Sequence, residues 1–295
     1  MNYSEKAYAK INLFLNVTGQ RDDGYHEIRS VMQSISLYDM LTLEVEEASE
    51  FSVSLICENT KMDCGESNLI CQTAMYIHSI EPEKVRGAHR FSLCKQIPIS
   101  AGMAGGSADA AAVIRLMNRA HKLNLTDEEM CTIGKKLGAD IPFCIHGGTA
   151  LCEGIGEKIT DFAPPKPFSL AVAIGDSSVS TPVAFSLLDK MNNNFSDKYR
   201  KSHCKSELKI EPENIFSFAN SLYNIFEDVI IPHVPNIAEI KDIMMRNGAL
   251  GALMSGSGPS AFGIFPCATD AKNAVSALSK EGYRAYLCHT VNKYP

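Results

Sequence analysis

Apolar and polar residues alternate from position 8 to position 17. Ala9, Ile11, Leu13, Leu15 and Val17 fall on one face, Lys10, Asn12 and Asn16 on the other. A period of two is that of a half-buried strand, and it sets Lys10 and Asn12 side by side on one surface. Similar patterns predict strands at 28–37, 41–46, 51–57 and 90–94. Helical spacing predicts a helix over 69–80 and another over 107–123, the latter with Ala110, Ala111, Ile114 and Met117 inward. Thr126 and Glu129 have the spacing of a capping box for a further helix, which Gly138 would stop.

Gly147 and Gly148 turn the chain into a strand at 149–153, and the polar, proline-containing stretch 160–167 reads as a domain boundary. It divides the chain into domains 1–160 and 161–295. The second half reads as a strand at 170–174, a helix opened by Ser180-Thr181-Pro182, and a polar segment, 192–205, expected to be mobile. Helices over 212–226 and 236–247 follow, then strand, strand, helix and strand. The strands at 250–254 and 261–265 flank the turn Ser255-Gly256-Ser257-Gly258-Pro259.

The most informative segment runs from Pro98 to Ala108, Pro-Ile-Ser-Ala-Gly-Met-Ala-Gly-Gly-Ser-Ala, and leads without a break into the alanine-rich helix. Gly102, Gly105 and Gly106 lack Cβ atoms, so the backbone can take positive φ and bring its N–H groups close to an anion. Ser107 reads as the N-cap of the helix that follows, whose unpaired N–H groups and dipole also favour negative charge. No lysine follows Gly106, which excludes a Walker loop, and the glycine spacing is not that of a dinucleotide fingerprint. The alternative is a tight turn before a core helix. The Ser255–Gly258 turn has the same ambiguity, as a second phosphate contact or a simple hairpin.

Composition narrows the partners. A chain of 295 residues, 45% of them apolar, can bury a large core. Its formal charge of −6 argues against nucleic acid or an acidic membrane as a partner, because both require clustered Lys and Arg. Any positive potential must therefore be local. The ten cysteines are scattered without a Cys-x-x-Cys pair and read as reduced thiols packed as small apolar residues. With no apolar signal core near the start and no run of membrane-spanning length, a cytoplasmic protein is expected.

Phosphoryl transfer needs a triphosphate cradle, a cation to offset developing charge, and a group to orient or deprotonate the attacking hydroxyl. Lys10 is a candidate cation, although a lysine on an alternating strand ordinarily faces solvent. Asp140, in Gly138-Ala139-Asp140-Ile141-Pro142, is a candidate for the third role, although in isolation it reads as an N-cap.

The 98–108 loop resembles the ATP-binding motif of the GHMP small-molecule kinases, Pro-x-x-x-Gly-Leu-Gly/Ser-Ser/Gly-Ser. Met103 stands for Leu, Ala104 for Gly or Ser, and Ala108 for a frequent second Ser. The resemblance extends over most of the chain. It includes Ala9-Lys10-Ile11-Asn12-Leu13, the run from Gly19 through Arg21-Asp22-Asp23-Gly24-Tyr25-His26-Glu27-Ile28, and Asp39. Further along it includes Gly138 to Pro142, Gly154-Ile155-Gly156-Glu157, Ser180-Thr181-Pro182 with Phe185, and Ser255 to Gly258. These words are similar to those of GHMP kinases that act on a cytidyl-diphosphate-linked polyol.

The resemblance implies an α+β chain of two domains, a ribosomal-protein-like α/β domain followed by a ferredoxin-like α/β domain. It implies ATP, bringing Mg²⁺, held by Pro98, Ile99, Ser100, Ala101, Gly102, Met103, Ala104, Gly105, Gly106, Ser107 and Ala108. Asp140 is then the base toward the 2-hydroxyl of the polyol, and Lys10 lies within ion-pair reach of it and of the moving phosphoryl group. A nearby cation lowers a carboxylate's pKa, so orientation of the hydroxyl matters at least as much as proton removal. Asn12 is implied to bind substrate, Tyr25 and Phe185 to sandwich the cytosine ring, His26 to read its edge, and Thr181 to hold the polyol hydroxyls. Another GHMP kinase, acting on mevalonate, homoserine or a sugar, remains open. So does a non-catalytic ligand-binding protein of the same fold, which would have no need of the Lys10 and Asp140 pair. An RNA-binding module is disfavoured by the acidic charge.

Overall fold

A computed structural model describes residues 2–162, 166–175, 179–194 and 214–293. Its contacts group the chain into two compact units that interleave along the sequence. One comprises Met1–Ala9, Leu37–Ile99 and Ala104–Gly147, the other Lys10–Ser36, Ser100–Met103 and Gly148–Pro295. Two long strands, β1 (Asn2–Gln20) and β2 (His26–Glu46), contribute residues to both.

In the first unit, residues 40–46 of β2 pair antiparallel with β4 (Ala88–Cys94), which pairs parallel with β3 (Ser52–Ile56). Four helices pack in this unit: α1 (Leu69–Ile80), α2 (Gly105–Ala120), α3 (Asp127–Leu137) and α4 (Ile141–His146). The small residues from Ala108 to Ala112 let α2 bury its middle turns against α1 and α4, while Gly105 to Ser107 in its first turn stay accessible. Asn68 caps α1 through Ile70 N–H, and the predicted capping box of Thr126 and Glu129 opens α3.

In the second unit, residues 28–33 of β2 pair antiparallel with β5 (Thr149–Gly154), which pairs with β6 (Lys158–Asp161). β8 (Tyr223–Asn224) runs parallel to β1 at Phe14 and Leu15. A separate antiparallel sheet has the order β11 (Arg284–His289), β7 (Ser169–Ile174), β10 (Ser260–Phe265), β9 (Gly251–Met254). On this sheet pack α8 (Asn236–Arg246) and α9 (Ala268–Lys280), whose Ile237, Ile240, Met244, Ala271, Ala274 and Leu278 join Ala171, Ala261 and Phe265 in one core. The remaining helices are α5 (Thr181–Asn194), α6 (Ile215–Asn220) and α7 (Glu227–Ile230).

The structure corrects four expectations. The two strands expected at 28–37 and 41–46 are one, because no glycine or proline interrupts the run and buried Asp39 is satisfied by side-chain bonds. The helix after the glycine loop starts at Gly105 and not at Ser107, with Ala104 at the N-cap in the left-handed region and Ser107 inside the first turn. The helix expected over 212–226 is broken, so that Asn224 can pair with β1; Pro212 and Glu213 lie outside the described residues. Finally, β1 is buried on both faces from Ala9 to Leu15. The expected mobile stretch 192–205 lies outside the described residues beyond Asn194. Of the cysteines, Cys71, Cys144, Cys152 and Cys288 are core residues, whereas Cys94 and Cys267 are exposed. Among the described residues no helix is long and apolar enough to cross a membrane.

Candidate active site

The burial of β1 makes Lys10 unusual. Only 5% exposed, its ammonium donates to Asn12 Oδ1 at 2.8 Å. Asn12 Nδ2 donates to Ser30 Oγ at 2.8 Å, and Ser30 donates to the Phe14 carbonyl at 2.7 Å. A buried lysine is costly unless its charge is used or paired, and this relay fixes the direction of its head. The Lys10 backbone N–H also donates to the Met103 carbonyl at 3.2 Å, tying the strand to the glycine loop.

The loop has an anion-binding form. Ser100, Gly102 and Ala104 have φ of 55°, 74° and 54°, with Ala101 and Met103 between them outside the positive-φ set. Alternating left-handed and ordinary residues turn successive N–H groups toward one concave side. Met103 is buried, as a Leu there would be, and Ile99 is exposed. Gly105 and Gly106 form the first turn of α2, so no side chain shields its free N–H groups, and no acidic residue lies in that turn. The Ser107 hydroxyl, not being the N-cap, is left for another partner.

The second glycine turn is the hairpin between β9 and β10, and it also touches the first loop. Ser255 Oγ donates to the Gly102 carbonyl at 3.1 Å and Ser260 Oγ to the Ala101 carbonyl at 2.5 Å. A Cβ on Gly102 would lie 2.3 Å from the Ser255 carbonyl oxygen, so only glycine permits this approach. Thr181, the first residue of α5, places its hydroxyl 3.2 Å from that of Ser257.

Two of the aromatic candidates meet, His26 and Phe185, and Tyr25 is not brought to them. The His26 ring stacks on Phe185 with centroids 4.5 Å apart, and its Nε2 lies 2.8 Å from Asp189 Oδ1. Phe185 meets Phe226 edge-on at 4.9 Å. Tyr25 is 62% exposed at the tip of the turn between β1 and β2, a turn held by the Tyr25 N–H on Asp23 Oδ1. Asp189 lies one helical turn beyond Phe185 and was not among the candidates read from the sequence; its spacing of four from Phe185 was the available signal.

Lys10, Asn12, Tyr25, His26, Ser100–Met103, Thr181 and Phe185 thus belong to one unit, and Pro98, Ile99, Ala104–Ala108 and Asp140 to the other. Asp140 stands at the N-cap of α4 with Pro142 in the first turn, yet its carboxylate does not cap the helix. Beneath the start of α2 sits a buried cluster that sequence reading missed. Lys95 Nζ lies 2.6 Å from both Asp39 Oδ2 and Asp109 Oδ2. Asp39 Oδ1 also accepts the N–H groups of Gln96 and Ile97, at 2.5 and 2.8 Å. A Cβ on Gly105 would lie 3.1 Å from the Lys95 ammonium. Burial pushes the Asp109 carboxyl up to about 8, Lys95 pulling against it, and Asp109 Oδ1 has no hydrogen-bond partner. Asp39 is held by three donors, the Lys95 ammonium and two backbone N–H groups.

Together these features describe an anion cradle with a buried cation tied to it. The GHMP kinases N-terminal domain pattern matches residues 68–148 and the GHMP kinases C-terminal pattern residues 211–284. The chain is 42% identical over 273 residues to a 4-diphosphocytidyl-2-C-methyl-D-erythritol kinase of Caldicellulosiruptor saccharolyticus, covering 92% of this chain and 91% of that one. It is 40% identical over 288 residues to the enzyme of the same name from Acetivibrio thermocellus, covering 98% and 99%. A crystal structure of 4-(cytidine 5'-diphospho)-2C-methyl-D-erythritol kinase superposes with a TM-score of 0.75 at 27% identity, covering 98% of this chain and 99% of that one. A mevalonate kinase from L. major superposes at 0.77 with 16% identity, covering 98% and 96%, a likeness of fold alone. With relatives of this identity spanning nearly its whole length, the chain belongs to the GHMP kinases, in the family of 4-diphosphocytidyl-2-C-methyl-D-erythritol kinases.

Proposed function

We propose that this protein transfers the γ-phosphoryl group of ATP to the 2-hydroxyl of 4-diphosphocytidyl-2-C-methyl-D-erythritol, in the cytoplasm. Domains 1–160 and 161–295 each contribute residues to the reaction. The observation that carries this reading is the hydrogen bond from Lys10 N–H to Met103, which joins a buried ammonium to the loop that would cradle the triphosphate. ATP phosphates would lie on the N–H groups of 98–108 and the first turn of α2. Mg²⁺ arriving with ATP would be held chiefly by phosphate oxygens and water, with the Ser107 hydroxyl as its protein neighbour, and would supply charge neutralisation at the phosphates. The glycine turn, rich in N–H groups and free of carboxylates, suits a phosphate-borne cation better than a protein-held one.

Lys10 offsets charge on the moving phosphoryl group. Asp140, its carboxylate not used as a cap, orients the attacking hydroxyl and receives its proton. Asn12 sets the Lys10 head and meets the polyol. The cytosine ring takes over the Phe185 face that His26 covers in this structure, Tyr25 closes on its other face, and His26 turns to the pyrimidine edge. Thr181 holds the polyol hydroxyls.

The test is direct. Purified protein with ATP, Mg²⁺ and this substrate releases ADP in step with phosphorylated product. Folded protein that binds ATP but gives no product with this substrate contradicts the reading.

A further inference from the structure

The phosphate loop leans on the Ser255–Gly258 turn, and that turn is itself held by a side chain from a distant part of the chain. Asn224, 3% exposed, belongs to the two-residue strand β8, whose backbone pairs with Leu15 of β1. Its Nδ2 donates to the carbonyls of Met254 and Gly256, each at 2.8 Å, and its Oδ1 accepts the Phe226 N–H at 3.0 Å. Both amide hydrogens and the oxygen are used, so the carboxamide has one orientation. One turn further on, Glu227 Oε1 accepts the Met254 N–H at 2.8 Å, and both its carboxylate oxygens take Lys241 Nζ, at 2.7 and 2.6 Å. Met254 is therefore gripped by its N–H and its carbonyl just before the chain enters the turn.

We infer that Asn224 is a positioning residue for the nucleotide, with Glu227 as its partner: it sets the Ser255–Gly258 turn so that Gly102 holds the left-handed geometry that opens the loop to phosphate. The chain of contact is continuous. Asn224 holds the Gly256 carbonyl, a Cβ on Gly256 would lie 3.0 Å from the Gly102 carbonyl oxygen, and Ser255 Oγ donates to that same carbonyl. The inference rests on ATP occupying the 98–108 loop.

The test uses Asn224→Asp, which keeps shape and removes both donors, leaving a carboxylate against two carbonyl oxygens. The KM for ATP and the calorimetric affinity for a non-hydrolysable ATP analogue should weaken roughly tenfold or more, while the KM for the cytidyl substrate shifts less than about twofold. A folded N224D with unchanged ATP affinity, or with both KM values raised alike, overturns it. If N224D does not fold, Glu227→Ala and Glu227→Gln decide. Gln keeps an acceptor for the Met254 N–H and should retain ATP affinity, and Ala should lose it; equal affinities in the two variants overturn the inference. Unmodified protein that binds no ATP analogue would instead refute the functional reading beneath it.

Discussion

Asp39 and Asp109 both touch the Lys95 ammonium, yet replacing them should have opposite effects. Asp39 accepts two backbone N–H groups besides the Lys95 ammonium and is fully buried, so three donors depend on it. Asp109, 2% exposed and with one oxygen unpartnered, holds a proton that an unfolded chain would release. Its folded pKa, about 8, lies above the ordinary 3.8. Between those values the folded state binds more protons than the unfolded one, so stability falls as pH rises, by a few kcal/mol with about 6 as a ceiling. Asp109→Asn keeps the shape of the neutral carboxyl and removes this slope. Urea denaturation at pH 5 and pH 8 should show the Asp109→Asn protein close to the parent at pH 5 and more stable at pH 8. Asp39→Asn should cost about 3–5 kcal/mol at both, because it strands a buried ammonium. If Asp109→Asn is as damaging at pH 8 as Asp39→Asn, then Asp109 is an ionised partner of Lys95 and the reasoning fails.

Further expectations concern other parts of the molecule. Tyr25→Ala should raise the KM for the cytidyl substrate about tenfold through loss of stacking, with the KM for ATP unchanged; parity with the parent would reopen a substrate without a base. His89, 1% exposed with Nε2 2.7 Å from His121 Nε2, is held down to about 4, first by burial and then by the neighbouring imidazole. The folded chain thus resists protonation, and its contribution, complete above the ordinary 6.5, is lost as pH falls toward 4, by about 3 kcal/mol. His89→Gln should flatten that part of the stability profile, and an unchanged slope would place acid sensitivity elsewhere. Ala104, left-handed at φ 54°, should gain about 0.5–1 kcal/mol on replacement by Gly, measured as a raised Tm.

What could be read from the sequence was whatever local pattern decides. The strand around Lys10, the capping box at Thr126 and the limits of α1 depend on neighbours in sequence and were found where expected, although β1 is buried on both faces where the alternation predicted one. The glycine loop was legible for the same reason, although its helix begins two residues early because Gly105 and Gly106 are free to be helical. Residues that act through distant partners were not legible. Asn224 sits in a stretch with helical spacing and leaves the helix only because Leu15, Met254 and Gly256 offer it bonds. Nothing in the local pattern marks Lys95, between Cys94 and Gln96; only the fold brings Asp39 and Asp109 to it from 56 and 14 residues away. Asp189 likewise became a candidate once His26 was seen on Phe185.

In the proposed mechanism Lys10 and Asp140 act on the same phosphoryl transfer. Steady-state ADP release by Asp140→Asn, measured beside calorimetric binding of the cytidyl substrate, tests it most directly. Turnover should fall by about a hundredfold to ten-thousandfold with substrate affinity within about threefold of the parent. An Asp140→Asn protein that keeps most of its turnover, or that loses it only because substrate no longer binds, would contradict the claim.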